Sequence, residues 1–271
     1  STTGATGGAI TVGNFGNTAG DFVNDLTIDT DGTTTDGIIT TGTSILLDED
    51  ATGAGGAASL TIEGDWRLPG ATTTTIDTEQ GATANAVGGF VDLENVDISG
   101  TAAGARLSID TRVPVGTGTG GNVDLGLFSN AGGAFLSSLS VNTNSAVGSG
   151  STTLHDDIFL DNSGFLDIGS TRIIISDTLT IDTEQTLAGF DNSDPGSVQL
   201  RGTTLADAPG FTFTIDAGTT RAGGTGNTVF LNEVSDNGGN GTDSFLTSLV
   251  ITTEAVTDGE TGFSTDPISV D

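Results

Sequence analysis

A short tract of alternating apolar and polar residues recurs along the whole chain. It first stands as LTIDT from Leu26 and returns in forms such as LTIEG, LSIDT, LSVNT and LTIDTEQ. The aliphatic residues at the centre of the tract are Ile28, Ile62, Ile76, Ile109, Val141, Ile181, Ile215 and Ile251. Their successive spacings are 34, 14, 33, 32, 40, 34 and 36 residues, so six of the seven spacings lie between 32 and 40. A recurring spacing of this length indicates a repeat architecture, in which each repeat stacks on the next one.

The alternation within each tract predicts β-strands. Successive side chains of a strand point to opposite faces, so apolar residues at every second position place one face in a core. Threonine and β-branched residues favour this pleated surface, and no stretch shows helical spacing. The chain is therefore predicted to be all-β. The residues expected to point into the core are Leu26, Ile28, Leu107, Ile109, Leu139, Val141, Leu179, Ile181, Phe213, Ile215, Leu249 and Ile251. The residues expected to point outward are Thr27, Ser108, Ser140, Thr180 and Thr214.

A longer repeat encloses about three of these tracts. Residues 10–30 align without a gap to residues 123–143, at an offset of 113. The segment TIDTEQ recurs at an offset of 105, and FLSSLSVNT recurs as FLTSLVITT at an offset of 110. We therefore expect residues 1–271 to form a single continuous β-solenoid segment with imperfect coils and about two and a half long repeats of 105–113 residues. Because the sequence starts and stops at different points of the long repeat, it is predicted to be part of a longer chain.

The tracts, with their glycine-, alanine- and asparagine-rich turns, resemble the β-strand repeats of giant bacterial surface and secreted proteins. These are the filamentous-haemagglutinin-like and autotransporter-passenger class, and the resemblance runs over nearly the whole chain. It implies a right-handed parallel β-helix, a secreted or cell-surface location and a structural or adhesive role. The repeats themselves support a solenoid, because strands that stack their inward aliphatic residues coil upon coil produce this pattern.

The alternative fold is a row of tandem β-sandwich domains of the Ig-like type, each about 110 residues long. The shorter spacing of 32–40 residues favours the solenoid. The strands of one sandwich have no physical reason to resemble one another, whereas the coils of a solenoid do.

The composition excludes several functional classes. There is no cysteine, which rules out disulfides, thiolate metal sites and cysteine nucleophiles. Thirty-six acidic residues against six arginines, with no lysine, give a net charge of −30. This charge repels nucleic acid and anionic membranes. No apolar run reaches the roughly 18 residues that a membrane-spanning helix needs. We expect neither nucleic-acid binding nor membrane insertion.

The carboxylates repeat with the tracts, whereas an active site occurs once. A polysaccharide hydrolase needs a pair of carboxylates at one place, and a β-helix lyase needs a basic side chain beside a calcium-bound carboxylate cluster. The six arginines fall at unrelated phases of the repeat. The chain is therefore predicted not to be an enzyme, and a polysaccharide-active β-helix is kept as the less favoured alternative. The acids that follow the central aliphatic residue are Asp29, Asp77, Asp110, Asp182 and Asp216.

Acidic turns are the places where a hard cation could bind. Calcium takes several carboxylate and carbonyl oxygens, and the segment GGNGTDSFL from Gly238 matches the calcium-binding nonapeptide pattern of secreted β-rolls. That site needs tandem copies, so a glycine-rich turn is the simpler interpretation of a single copy. Calcium is the one cofactor that the sequence suggests. The candidate metal ligands are Asp29, Asp31, Asp48, Asp50, Asp156, Asp157 and Asp243.

The only histidine, His155, precedes two of these acids. A histidine beside carboxylates can serve as a general base or a metal ligand. The corresponding position of the first long repeat, around Gly42, carries neither an acid nor an imidazole. We therefore interpret residues 155–157 as a turn before a strand at residues 158–160.

Three functions from different classes follow from these observations. The favoured one is a non-enzymatic structural or adhesive repeat segment of a large exported bacterial surface or extracellular-filament protein. Its expected partners are further copies of itself, in end-to-end or lateral contact, or components of the cell surface or extracellular matrix. A calcium-dependent glycan-binding module is the alternative. It would need surface aromatics, but Trp66 is the only tryptophan, tyrosine is absent and the 13 phenylalanines mostly occupy inward phases. The enzyme is the third possibility.

Overall fold

The computed structural model describes residues 7–16, 23–30, 32, 36–47, 57–79, 88–113, 118–145, 148, 150–185, 195–222, 227–235, 246–253, 255–256 and 268–270. These residues contain strands and turns and no helix. The strands are β1 (Ile10–Thr11), β2 (Asp25–Asp29), β3 (Ile38–Thr40), β4 (Ser44–Leu46), β5 (Ser59–Leu68), β6 (Thr73–Asp77), β7 (Phe90–Gly100), β8 (Arg106–Asp110), β9 (Val123–Phe128), β10 (Leu136–Asn142), β11 (Ser151–Leu154), β12 (Ile158–Gly169), β13 (Arg172–Ile175), β14 (Leu179–Gln185), β15 (Val198–Ala206), β16 (Thr212–Asp216), β17 (Thr219–Ala222), β18 (Val229–Val234), β19 (Ser248–Thr252), β20 (Ala255–Val256) and β21 (Ile268–Val270).

The ladders between the described strands are all parallel. Each of these strands pairs with strands of the neighbouring coils, as β8 does with β6 and β10. Parallel pairing requires the chain to travel around a complete coil before it meets itself again. This arrangement is a parallel β-solenoid, and it confirms the predicted all-β class and solenoid architecture. The alternative of tandem Ig-like sandwiches is wrong, because those domains are built from antiparallel sheets.

Three columns of in-register residues run along the solenoid. Column A contains Leu26, Leu60, Val91, Val123, Thr152, Ile173, Thr204 and Val234. Column B contains Ile10, Ile39, Trp66, Ile98, Phe128, Ile158, Ile181, Ile215 and Ile251. Column C contains Phe15, Ile45, Ile76, Ile109, Val141, Ile168, Leu200 and Leu231. The chain passes through A, B and C in that order, and one passage is one coil.

The recurring tract occupies all three columns in turn. Ile28 and Ile62 stack on the strands of column A, two residues after Leu26 and Leu60. The next three copies stack in column C and the last three in column B. The two unusual spacings, 14 between Ile62 and Ile76 and 40 between Val141 and Ile181, are the two places where the tract changes column. The other spacings, between 32 and 36 residues, are the lengths of single coils.

The long repeat does not contain a whole number of coils. Phe15 lies in column C, whereas its counterpart Phe128 lies in column B. The pair Val141 and Ile251, at an offset of 110, shows the same change. Each offset covers three full coils and two further columns, which is eleven strand positions. Successive long repeats therefore present equivalent residues on different sides of the solenoid.

The interior is a continuous apolar core. Of the twelve residues predicted to point inward, Ile28, Leu107, Ile109, Leu139, Val141, Leu179, Ile181, Phe213 and Ile215 are buried, which confirms the prediction for them. Leu26, Leu249 and Ile251 pack against the core but are only partly buried. The residues predicted to point outward are exposed at Thr27 and half-buried at Ser108, Ser140, Thr180 and Thr214.

Replacement of Ile181 tests the inward assignment. Ile181 is fully buried between Ile158 and Ile215, so Ile181→Ala leaves a cavity and should cost about 2–5 kcal/mol in the free energy of unfolding. Thr180→Ala removes an outward side chain and should change this free energy by roughly 0.5 kcal/mol or less. Urea unfolding of both variants measures the difference. Equal losses at the two positions would contradict the stacking of column B.

Candidate functional site

Three of the seven candidate metal ligands lie in the described part of the chain. Asp29 ends β2 and is in register with Glu63. Oδ1 of Asp156 accepts a hydrogen bond from the amide of Asp157, at 2.8 Å, and Oδ1 of Asp157 accepts one from the amide of Thr180, at 2.6 Å. No group of three or more acidic or histidine side chains within the described ranges could hold a metal ion. The other four candidates, outside the described residues, are Asp31, Asp48, Asp50 and Asp243.

The periodic acids close the turns that follow the strands. Oδ1 of Asp77 accepts a hydrogen bond from the amide two residues later, and Asp110, Asp182 and Asp216 do the same at 2.8–3.0 Å. Asn142 holds the same position in its tract and makes the same bond at 3.1 Å. Short polar side chains that bond an amide two residues on form Asx-turns. These four acids therefore stabilise the turns that follow their strands.

The threonine at the end of the tract forms a second device, here called the Thr–Gly clasp. Thr183 is buried, and its hydroxyl donates to the carbonyl of Gly196 at 2.9 Å, while its own carbonyl accepts from the Gly196 amide at 3.3 Å. Both bonds join the two ends of the connection between β14 and β15. The same two bonds link Thr30 with Gly37, Thr111 with Gly121, and Thr143 with Gly150.

Glycine is required at the clasp because the backbone of the preceding coil lies very close to it. A Cβ atom on Gly196 would lie 1.5 Å from the carbonyl oxygen of Gly164. At Gly121 and Gly150 it would lie 1.9 Å from a carbonyl oxygen of the preceding coil. No side chain fits at such distances. The clasp therefore joins a buried hydroxyl to a position where the chain tolerates only glycine.

The solitary histidine sits at a corner that is lined by acids from several coils. His155 follows β11, and its Nδ1 lies 2.9 Å from Oγ of Ser176 and 3.6 Å from Oε1 of Glu94. Its Nε2 lies 4.0 Å from Oδ1 of Asp124, which is an ion-pair distance but too long for a hydrogen bond. Residues 155–157 lie between β11 and β12, so the predicted turn is confirmed.

This corner contains a serine, a histidine and acids, but Ser176 is not placed as a nucleophile. The Ser176 hydroxyl donates to the carbonyl of Leu154 at 3.0 Å. It must therefore accept from Nδ1–H of His155, an assignment that the hydrogen-bond network imposes. An imidazole that donates to the hydroxyl cannot take its proton, as a general base must. The arrangement joins neighbouring coils and leaves Nε2 as the nitrogen that titrates.

Acidic neighbours raise the pKa of His155. The Asp124 carboxylate beside Nε2 contributes most, burial opposes it, and Glu94 and Asp207 add to the rise. The protonated imidazole is thus favoured by carboxylates on both sides of its own coil. The less favoured interpretation of His155, as a general base or a metal ligand, stays untested.

The aromatic residues do not follow the expected inward pattern throughout. Trp66 is fully buried, with Nε1 donating to Thr41 Oγ1 at 3.0 Å, and Phe128 and Phe213 are buried as well. Four of the described phenylalanines stand between buried residues and are half-exposed, so they are exceptions to the expectation that the phenylalanines mostly point inward. These outward residues are Phe90, Phe159, Phe165 and Phe230. Phe159 and Phe165 share a coil but lie in columns B and C, and Phe165 and Phe230 share column C but lie two coils apart. None of the four is the in-register neighbour of another, so they form no continuous platform of the kind on which a sugar stacks.

Comparison with known proteins identifies no relatives. No protein-family model, curated protein or solved structure matches the chain. The described residues also include no helix of the length and apolarity needed to cross a bilayer.

The Thr–Gly clasp was not predicted from the sequence. Its signal was present, because a threonine ends most copies of the tract and a glycine follows several residues later. The pairing could not be assigned from spacing alone, since the separation between the two residues varies from 7 to 13.

Removal of one clasp hydroxyl should destabilise the solenoid. Thr183→Val preserves the shape of the side chain but leaves the Gly196 carbonyl without this donor, at an expected cost of about 1–3 kcal/mol. Thr180→Val, at an outward position of the same strand, should change the free energy of unfolding by less than about 0.5 kcal/mol. Urea unfolding measures both. A loss at Thr183 no larger than that at Thr180 would show that the clasp contributes nothing.

The ionisation of His155 should make stability depend on pH. A histidine with a raised pKa stabilises the folded chain fully below its unfolded value, and this contribution is lost as the pH rises through the folded value. His155→Gln should therefore lower the melting temperature more at pH 6 than at pH 9.

The histidine can be titrated directly, because it gives a single imidazole resonance by NMR. We expect its midpoint to lie above about 6.5 and to fall in Asp124→Asn. A midpoint that does not respond to Asp124→Asn would contradict the assigned contact.

Proposed function

We propose that this chain is a non-enzymatic structural or adhesive repeat segment of a large exported bacterial surface or extracellular-filament protein. The observation that carries the proposal is the connected series of parallel ladders that links β1 to β21. A fold in which every coil contacts only its neighbours forms a rod of any length and provides extended surfaces. Such a rod suits a spacer or scaffold better than it suits an enclosed site.

The use of the polar residues supports the same proposal. The repeated acids bond turn amides, and the repeated threonines hold the bases of the connections. At His155, where a histidine, a serine and acids meet, the serine hydroxyl already donates to a main-chain carbonyl. These groups stabilise the coils, and their abundance therefore needs no catalytic explanation.

The proposed partners are further copies of this chain, in end-to-end or lateral contact, or components of the cell surface or extracellular matrix. The proposed location is the cell surface or the extracellular medium. Acidic and aromatic side chains both face outward along the columns. For example, Asp92 and Asp124 lie near the half-exposed Phe90. This mixture suits contact with other macromolecules in water.

The surface location is tested on intact cells of the organism that produces the protein. Antibodies raised against the chain should label intact cells in immunogold electron microscopy, and proteinase K added outside should remove the label. A cytoplasmic marker protein should stay unlabelled and undigested in the same cells. Labelling that requires permeabilised cells would overturn the proposal.

Calcium remains the proposed cofactor, through bridges between carboxylates of neighbouring coils or molecules. We expect millimolar calcium to raise the melting temperature beyond the effect of sodium chloride at equal ionic strength. Monovalent salt screens poorly between charges that are closer than the Debye length of about 8 Å. A melting temperature that is unchanged by a chelator at moderate salt would show that no bound cation stabilises the chain.

A further inference from the structure

Carboxylates stack on carboxylates in several places along the solenoid. Parallel in-register pairing puts each outward residue directly beside its counterpart in the next coil, about 4.8 Å away along the ladder. Like charges in directly opposed positions of a sheet destabilise it. The in-register acid pairs among the described residues are Asp29 with Glu63, Asp65 with Asp97, Asp77 with Asp110, Asp92 with Asp124, and Asp182 with Asp216.

Two of these pairs are poorly compensated. Asp182 receives hydrogen bonds from the Glu184 amide and from Nε2 of Gln185, and Asp216 receives one from the Gly218 amide. In the described part of the chain neither acid forms an ion pair with an arginine. The coil on one side places Phe159 beside Asp182, and the coil on the other places Thr252 beside Asp216. The in-register neighbours on the adjoining coils therefore bring no positive charge to this pair.

The pair of Asp65 and Asp97 lies beside Arg67, which forms its ion pair with Asp65 and not with Asp97. Arg67 bonds Asp65 at 2.8 Å. Asp97 is half-buried and accepts a hydrogen bond from the hydroxyl of Ser129 at 2.5 Å, while the negative charge of Asp156, two coils further on, opposes its ionisation. The negative charge of Asp97 is thus less well compensated than that of Asp65.

We propose that these two pairs make the solenoid more stable on acidification, because each pair takes up one proton from solvent at a higher pH than the acids of the unfolded chain do. The proton converts one carboxylate of the pair to a neutral acid, which removes the repulsion between adjacent coils. The other carboxylate stays ionised and can accept a hydrogen bond from its protonated neighbour. Proteins whose acids are salt-bridged lose stability over the same pH range, so the proposed response is opposite to the usual one.

The direction of the ionisation equilibria agrees with this geometry. Burial raises the pKa of Asp182, and the charge of Asp216 adds to the rise. Burial also raises the pKa of Asp97, with Asp65 and Asp156 contributing and Arg67 opposing. An acid with a raised folded-state pKa binds more protons in the folded chain than in the unfolded one. The free energy of unfolding then falls as the pH rises from the unfolded value, near 3.9, through the folded value.

Asparagine variants test the proposal without breaking the turns. Asn142 occupies the tract position of Asp182 and makes the same turn bond, so Asp182→Asn should preserve the backbone. The experiment measures melting temperature by calorimetry between pH 4.5 and 7.5 at fixed ionic strength. All chains carry His155→Gln, which removes the imidazole titration. Asp177→Asn, at an exposed turn position, is the matched control.

The melting temperature of the parent chain should rise as the pH falls from 7.5 to 4.5, the lower end of the measured range. Asp182→Asn and Asp97→Asn should each raise it at pH 7.5, by about 2–4 °C if the relief is near 1 kcal/mol, and should flatten the pH profile. Asp177→Asn should do neither. Carboxyl-carbon NMR of the parent should show a two-step titration for each coupled pair. The proposal is overturned if the parent chain loses stability steadily on acidification, or if the asparagine variants keep the slope of the parent profile.

Discussion

The spacing between coils, about 4.8 Å in a parallel ladder, is the constraint on which the rest of this structure depends. At this distance each side chain contacts its in-register counterpart, so each position needs a residue that packs well against the corresponding residue of the next coil. Ile76, Ile109 and Val141 satisfy this condition by stacking aliphatic side chains in the core. Gly121 and Gly150 satisfy it at the connections, where the backbone of one coil touches the next.

The same spacing makes the outward surface electrostatically unfavourable, because it brings like charges close together. A tract with an aspartate after its central aliphatic residue places that aspartate beside the corresponding aspartate of the next coil, as Asp182 and Asp216 show. The aspartates are nevertheless useful, because each one bonds the amide that begins the following turn. The turn bond and the repulsion between coils therefore come from the same side chain. Asn142 provides the bond without the charge, which shows that the fold does not require the acid.

The sequence was sufficient to predict the all-β class, the solenoid architecture and most of the core, because period-two alternation follows from strand geometry and the recurring spacing from stacked repeats. It predicted the burial of Ile181 and Ile215 and the outward position of Thr180. It could not predict which column a tract occupies, since that depends on how many residues each connection absorbs. For the same reason the eleven-strand length of the long repeat became visible only from the register.

The site was less predictable than the fold. The His155 turn was predicted, whereas the approach of Glu94 and Asp124 from other coils was not, because nothing in the local sequence encodes neighbours about 30–60 residues away. The outward phenylalanines were also missed, since an aromatic residue on a pleated surface is tolerated when its neighbours along the column are small or polar. Phe165 stands beside Ser138, and Phe230 stands beside Gln199.

The central claim, that like tracts stack in parallel and in register, is tested most directly by paired nitroxide labels. The chain has no native cysteine, so Ser108→Cys with Ser140→Cys places two labels on adjacent coils of column C without background. Ser108→Cys with Thr180→Cys places them on similar tracts in different columns. We expect strong dipolar broadening in the electron paramagnetic resonance spectrum of the first pair and none in that of the second. Spectra without broadening for Ser108 and Ser140, or with equal broadening for both pairs, would contradict the stacked solenoid.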